Sequence, residues 1–231
     1  MKYQNIIQNT IAYLDQQKLY GNELFFNTSF KKNEPVLFKE WKNLNEIKNA
    51  IQSCRRCRLA DNSSGKIMGK GNQESNIMII SDTPAILKNS NKELELLTKI
   101  LAAIEFTPEE VYISSIIKCN LSLNRGPLND EISYCIPYLL GQIKFIKPKI
   151  ILVLGETAGN ALLGREKDIR ELRENNYYKF KGAYIYVTYH PAALVKNNDP
   201  DQKKKKRLVW EDVKRVRSQY DKIVGDKLQW L

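Results

Sequence analysis

The sequence predicts an α/β fold, a three-layer α/β/α sandwich around a mostly parallel four-stranded sheet. Three observations predict it. Short β-rich runs recur along the chain, helical periodicities fill the intervals between them, and each run ends near small or turn-forming residues. Strand and helix alternating in this way argue for a sheet covered on both faces.

The runs, in order, are IMIIS from Ile77 to Ser81, VYISSII from Val111 to Ile117, IILVL from Ile150 to Leu154 and YIYVT from Tyr184 to Thr188. Between the first two, Leu94, Leu97, Leu101 and Ile104 recur at helical spacing. After the second, Ile132, Ile136, Leu139 and Ile143 do the same; this helix opens after Pro127, with Asn129 as its expected cap and Asp130 and Glu131 in the first turn. A last helix puts Val209, Val213, Val216, Tyr220 and Ile223 on one stripe and its lysines and arginines outward.

At 231 residues with 42% hydrophobic content, the chain can bury one sizeable core, and one compact unit with an appendage is expected. Apolar runs such as Ile150 to Gly155 are too short to cross a bilayer, and the N-terminus is too rich in Asn and Gln for a secretory signal. A cytoplasmic protein, monomeric by default, is the resulting expectation. In a reducing compartment the four cysteines, spaced as Cys54-x-x-Cys57 and as Cys119 and Cys135, read better as thiolate ligands than as disulfides. Any one of them alone is equally a small buried hydrophobe, but the arginines flanking Cys54 and Cys57 favour thiolate. Four thiolates suit zinc or an iron–sulfur cluster, and spacing does not choose between them.

The net charge is +11, from 37 basic and 26 acidic side chains. That excess predicts attraction to a polyanion, nucleic acid before anionic lipid, because no amphipathic membrane anchor accompanies it. The densest block runs from Asp201 to Arg217 and includes Lys203 to Lys206, which suit salt-sensitive phosphate contact, although a lysine run is also what any solvated helix face carries.

In open parallel sheets, sites form at the carboxyl ends of the strands. Those ends carry Ser81-Asp82-Thr83-Pro84, Lys118-Cys119, Gly155-Glu156-Thr157 and Tyr189-His190-Pro191, so the distinctive polar residues fall on one rim. His190 is the only histidine of the chain. GETAGNALLG, from Gly155 to Gly164, fits neither common nucleotide motif and reads as a tight strand-to-helix turn. Tyr177, Tyr178, Tyr184 and Tyr186 read as strand packing before they read as stacking surfaces.

KCNLSLNRGPLNDEISYC, the strand and helix that follow it, VTYHPAAL and VWEDV together resemble the family 4 uracil-DNA glycosylases, the iron–sulfur branch of that superfamily. The resemblance runs from about Ile51 to Val216. It implies a glycosylase-like domain over residues 41–231, with residues 1–40 as an N-terminal helical extension. It implies a [4Fe–4S] cluster on Cys54, Cys57, Cys119 and Cys135, with zinc the less favoured occupant, and DNA as the partner. The implied reaction is hydrolysis of the bond between uracil, or a related damaged base, and its deoxyribose. By the same resemblance His190 is the donor to the departing base and Asp82 a carboxylate that positions water. Thr83 and Pro84 belong to the loop facing the base, Arg125 of the Asn-Arg-x-Pro segment is a phosphate contact, and Pro191 and Leu194 form the loop whose leucine enters the base stack. The chain also departs from the family. No aromatic follows Pro84 where the family stacks a phenylalanine on the base, and Ser115 stands where the family has an asparagine that reads the uracil edge. A hydroxyl cannot make a bidentate amide contact. Two functions follow: a glycosylase of altered specificity or low activity, or a non-catalytic iron–sulfur DNA-binding protein on the same scaffold.

Overall fold

The computed structural model describes residues 41–87, 92–120, 125–195 and 199–225. The extension expected over residues 1–40 lies outside them. The described chain folds as α1 (Leu44–Ser53), β1 (Lys70–Gly71), β2 (Ile77–Ser81), α2 (Lys92–Ala102), β3 (Tyr112–Ser115), α3 (Asn129–Ile146), β4 (Ile150–Leu154), α4 (Glu156–Leu163), α5 (Ile169–Glu174), β5 (Tyr178–Phe180), β6 (Ala183–Thr188), α6 (Ala192–Val195) and α7 (Gln202–Val224). The sheet order is β1-β3-β2-β4-β6-β5.

The four expected strands form the parallel centre of this sheet, with β2 paired to β3 and β4, and β4 to β6. Two short antiparallel strands, β1 and β5, extend it to six. Neither is long enough to show an alternation in the sequence. The hairpin joining β5 to β6 turns at Lys181 and Gly182, both with positive φ (48° and 86°), which suits the twist of a two-residue connection.

Because the pleat alternates, each central strand serves two cores. Ile77, Ile79, Ile113, Leu152 and Leu154 face Leu97 and Leu101 of α2 and Val209, Val213 and Val216 of α7. Met78, Ile80, Ile151, Val153, Ile185 and Val187 face Ile136, Leu139 and Ile143 of α3, Ala158 and Leu162 of α4, and Leu172 of α5. Helix α1 adds a patch outside α3, packing Ile47 and Ile51 near Tyr138, Cys119 and Cys135. Among the described residues no helix is long and apolar enough to cross a membrane.

Helix α1 is capped by Asn43, whose side chain accepts from Glu46 N at 2.9 Å. The start of α3 differs from expectation: Leu128, not Asn129, holds the cap position. Leucine cannot satisfy the free amides of the first turn, and it is Glu131 that reaches back to accept from Leu128 N at 2.8 Å.

Candidate active site and cysteine cluster

The carboxyl ends of β2 and β6 bring Asp82 and His190 together. His190 is half-buried, its Nε2 lying 3.0 Å from Ser81 Oγ and 3.6 Å from Asp82 Oδ1. Ala192 N donates to His190 Nδ1 at 3.1 Å. Nδ1 is therefore an acceptor, and the proton of the neutral ring sits on Nε2, facing the rim. Ser81 Oγ can take that hydrogen while donating its own to Asp82 Oδ1 at 3.2 Å, and Asp82 Oδ1 also accepts from Thr83 N at 2.8 Å. The chain from imidazole through hydroxyl to carboxylate has consistent polarity throughout. Pro84 is buried at the start of a 3-10 turn (Pro84–Leu87) that carries the β2 loop away from the rim.

The strand ends are tied to one another. Ile116 N and Ile117 N donate to Ser81 O and Asp82 O at 2.8 and 3.0 Å, and Gly155 N donates to Thr188 O at 2.8 Å. Behind β6, Thr188 Oγ1 donates to Asp212 Oδ2 at 2.6 Å. Arg173 of α5 binds both oxygens of Asp212, at 2.7 and 2.9 Å, and its guanidinium stacks on the Tyr189 ring beside His190. The aspartate of the VWEDV segment thus buttresses the histidine loop from α7.

Four of the residues expected to contact DNA or the base, Leu194, Pro191, Arg125 and Ser115, are engaged within the protein. Leu194 is only 2% exposed and packs into the core with Val209 and Val213. It lies on the inward side of the one-turn helix α6, where burial of an apolar side chain outweighs display at the rim. Pro191 is also buried. Arg125 is committed to Glu131, binding its two oxygens at 2.9 and 2.7 Å, while Arg58 reaches the same carboxylate at 2.8 Å. Glu131 has no exposed side-chain surface, and the Arg125 guanidinium, first among its partners, holds its pKa down to about 2. In this arrangement Arg125 clasps the loop to α3. Ser115 is fully buried, and its hydroxyl donates to Ile117 O.

Lys118, expected on the polar rim, is instead buried, only 2% exposed. Its ammonium meets Ser114 Oγ, Ser115 O and Gln142 Oε1, each at 2.7 Å. Three donors find three acceptors, so the group is satisfied, although burial lowers its pKa to about 7. Gln142 in turn donates to Met68 O at 2.8 Å. This network ties the end of β3 to α3.

The four cysteines, far apart in the chain, line one mostly apolar recess together with Tyr134, Tyr138 and Lys66. None is in a disulfide. Cys54 and Cys57 come from the turn after α1, Cys119 from the exit of β3, and Cys135 from the second turn of α3. Lys118 N donates to Cys135 Sγ at 3.2 Å. Burial pushes the Cys135 thiol up to about 12. Burial and the nearness of the other thiols also raise Cys57 and Cys119. Among the described residues no group of three or more Cys, His, Asp or Glu side chains is arranged to hold a metal ion.

Residues 68–214 match the family model described as the uracil DNA glycosylase superfamily. The chain is 32% identical to a type-4 uracil-DNA glycosylase of Sulfurisphaera tokodaii over 190 residues, 75% of this chain and 83% of that one. It is 28% identical to a type-4 uracil-DNA glycosylase of Thermotoga maritima over 179 residues, covering 74% and 92%, and 32% identical to one of Saccharolobus solfataricus over 174 residues, covering 67% and 78%. With its parallel sheet, its rim histidine and these relatives taken together, the chain belongs to the uracil-DNA glycosylase superfamily and groups with the type-4 uracil-DNA glycosylases.

Proposed function

We propose that this protein is a DNA-repair glycosylase that hydrolyses the N-glycosidic bond of uracil, or of a related damaged base, in DNA. The observation that carries the reading is His190, locked by the Ala192 amide as a neutral ring with its Nε2 proton at the rim and Asp82 3.6 Å away. A target base inside a duplex must first be extruded, at a cost of about a few kcal/mol that is least for a mispaired base. Cleavage then leaves positive charge on the sugar and negative charge on the departing base. A preorganised donor aimed at the base oxygen where that charge collects contributes about 3 kcal/mol, and Nε2–H of His190 is such a donor. To act, it exchanges Ser81 Oγ for the base oxygen. The Asp82 carboxylate, oriented by the Thr83 amide, is suited to hold the attacking water and to face the cationic sugar.

The residues fit a [4Fe–4S] cluster on Cys54, Cys57, Cys119 and Cys135. Four thiols lining one recess are the ligand number that a [4Fe–4S] core takes, and zinc, which four thiolates also suit, is the less favoured occupant. Each thiolate disfavours the next electrostatically, and a cationic core would relieve that repulsion. Such a cluster would be structural when bound, tying the α1 turn, the exit of β3 and α3 into one unit.

The second reading, a DNA-binding protein without turnover, is favoured by a specific observation: Ser115 turns its hydroxyl onto Ile117 O and offers the base nothing. One experiment separates the two. Purified protein is incubated with a single-stranded uracil-bearing oligonucleotide and then with alkali. Strand breakage that is lost in His190→Ala is the expected result. No breakage at high protein concentration, with binding intact, selects the second reading.

A further inference from the structure

Helix α7 is 23 residues long, about 34 Å, and starts beside the histidine loop, where Gln202 Nε2 donates to Leu194 O at 2.9 Å. Its inward stripe is filled by Val209, Val213 and Val216. On one flank, Lys204, Arg207, Lys214, Arg215 and Lys222 follow at spacings that keep them on the same side of the helix, and all five are exposed. Between this helix and the segment leading into the β5–β6 hairpin, Asn176 and Tyr177, together with Tyr186 of β6, lies an open groove of about 570 Å³. Lys214, Arg215 and Lys222 form one wall, and Tyr177 and Tyr186 form the other. Glu211 is the only acid among the described lining residues, and Arg207 approaches it at 3.8 Å.

Two exposed aromatics accompany these cations. Tyr177 is 42% exposed, yet its ring is held edge-on against Tyr184 with centroids 4.9 Å apart. Trp210, also 42% exposed, lies on the outer face of α7 under the Lys214 ammonium. Although each ring has a neighbour, both keep a large exposed area among cations, in a chain of net charge +11. A positively charged track with aromatic platforms has the two components that hold unpaired nucleic acid, phosphates on the cations and base faces on the rings.

We propose that the α7 flank and the Tyr177 groove form a second nucleic-acid site, which takes single-stranded DNA leading away from the His190 rim. The site is distinct from the catalytic loops and shares no residue with them. It rests on DNA being the partner but not on base removal. A duplex would meet the lysines equally well but would leave Tyr177 and Trp210 without a partner, since its bases are already stacked.

The test is fluorescence anisotropy of full-length protein with a uracil-free thymidine oligonucleotide of about 30 nucleotides, across a range of salt concentrations. The triple variant Lys214→Ala, Arg215→Ala, Lys222→Ala is expected to lower the slope of log affinity against log salt by about 2, because each phosphate that a side chain neutralises on a single strand adds about 0.7 to it. Tyr177→Ala is expected to weaken binding about tenfold with an unchanged slope. A charge-matched triple on the far side, Lys48→Ala, Lys70→Ala, Lys144→Ala, serves as control. Equal losses in the two triples, or a Tyr177→Ala affinity equal to wild type, overturn the proposal. The oligonucleotide contains no uracil, so the outcome stands whether or not the protein excises that base. If it does, the groove variants should keep wild-type excision from an oligonucleotide too short to span rim and groove, and lose it only on long single strands.

Discussion

His190 takes its position from small neighbours. Gly155, at the end of β4, has φ +94°, and a Cβ there would stand 3.2 Å from His190 Cβ. Gly155→Ala therefore combines backbone strain of about 1–3 kcal/mol with a push on the His190 side chain. Chemical denaturation should show the loss of stability, and excision should fall along with it; wild-type turnover in this variant would mean that the loop tolerates displacement. The histidine was legible in the sequence because it stands alone at a strand end before a proline. The part played by Ser81 was not. Its hydroxyl meets Nε2 only because β2 and β6 lie on either side of β4 with their ends level, a register that no local pattern encodes.

At the scale of elements, two carboxylates act as clasps. Glu131 joins the loop before α3, through Arg125, to the turn after Cys57, through Arg58. Its folded pKa of about 2 lies below the ordinary 4.5, so the clasp stabilises the fold fully above pH 4.5 and is lost as the pH falls toward 2. The two guanidiniums are partly exposed and solvent-screened, so Glu131→Gln is expected to cost about 1–2 kcal/mol at pH 7. Urea titrations at descending pH should show that difference shrinking below pH 4.5; a constant gap would assign the effect to packing. Asp212 holds Arg173 and Thr188 where water is nearly absent, with Arg173 10% exposed. Asp212→Ala leaves a buried guanidinium unpaired and should cost about 3–5 kcal/mol, read by thermal or chemical unfolding. Because Arg173 stacks on Tyr189, excision should fall as well. Helices α2, α3 and α7 were plain from their apolar spacing, whereas α1, α5 and α6 were not. The clasps were not, because an acidic residue in a first turn looks the same whether it faces water or two arginines.

For the molecule as a whole, the recess of four thiols joins segments from α1, β3 and α3. If the proposed iron–sulfur cluster is bound, removing its iron from anaerobically purified protein should lower the melting temperature and speed hydrogen exchange in the turn holding Cys54 and Cys57, while β2 and β4 keep their protection. Uniform loosening of the sheet would mean that the cysteines support the core itself. The parallel sheet, its four central strands, its two helical layers and the polar rim were all determined by the sequence alone. Strands buried on both faces must be apolar throughout, and chemistry must sit where the chain leaves them. Tertiary structure decided that Leu194 turns inward, that Arg125 grips Glu131, that Ser115 faces its own backbone, and that an edge hairpin and α7 enclose a basic groove. These outcomes depend on which distant side chains compete for the same space or charge, and spacing along a chain carries no record of that competition.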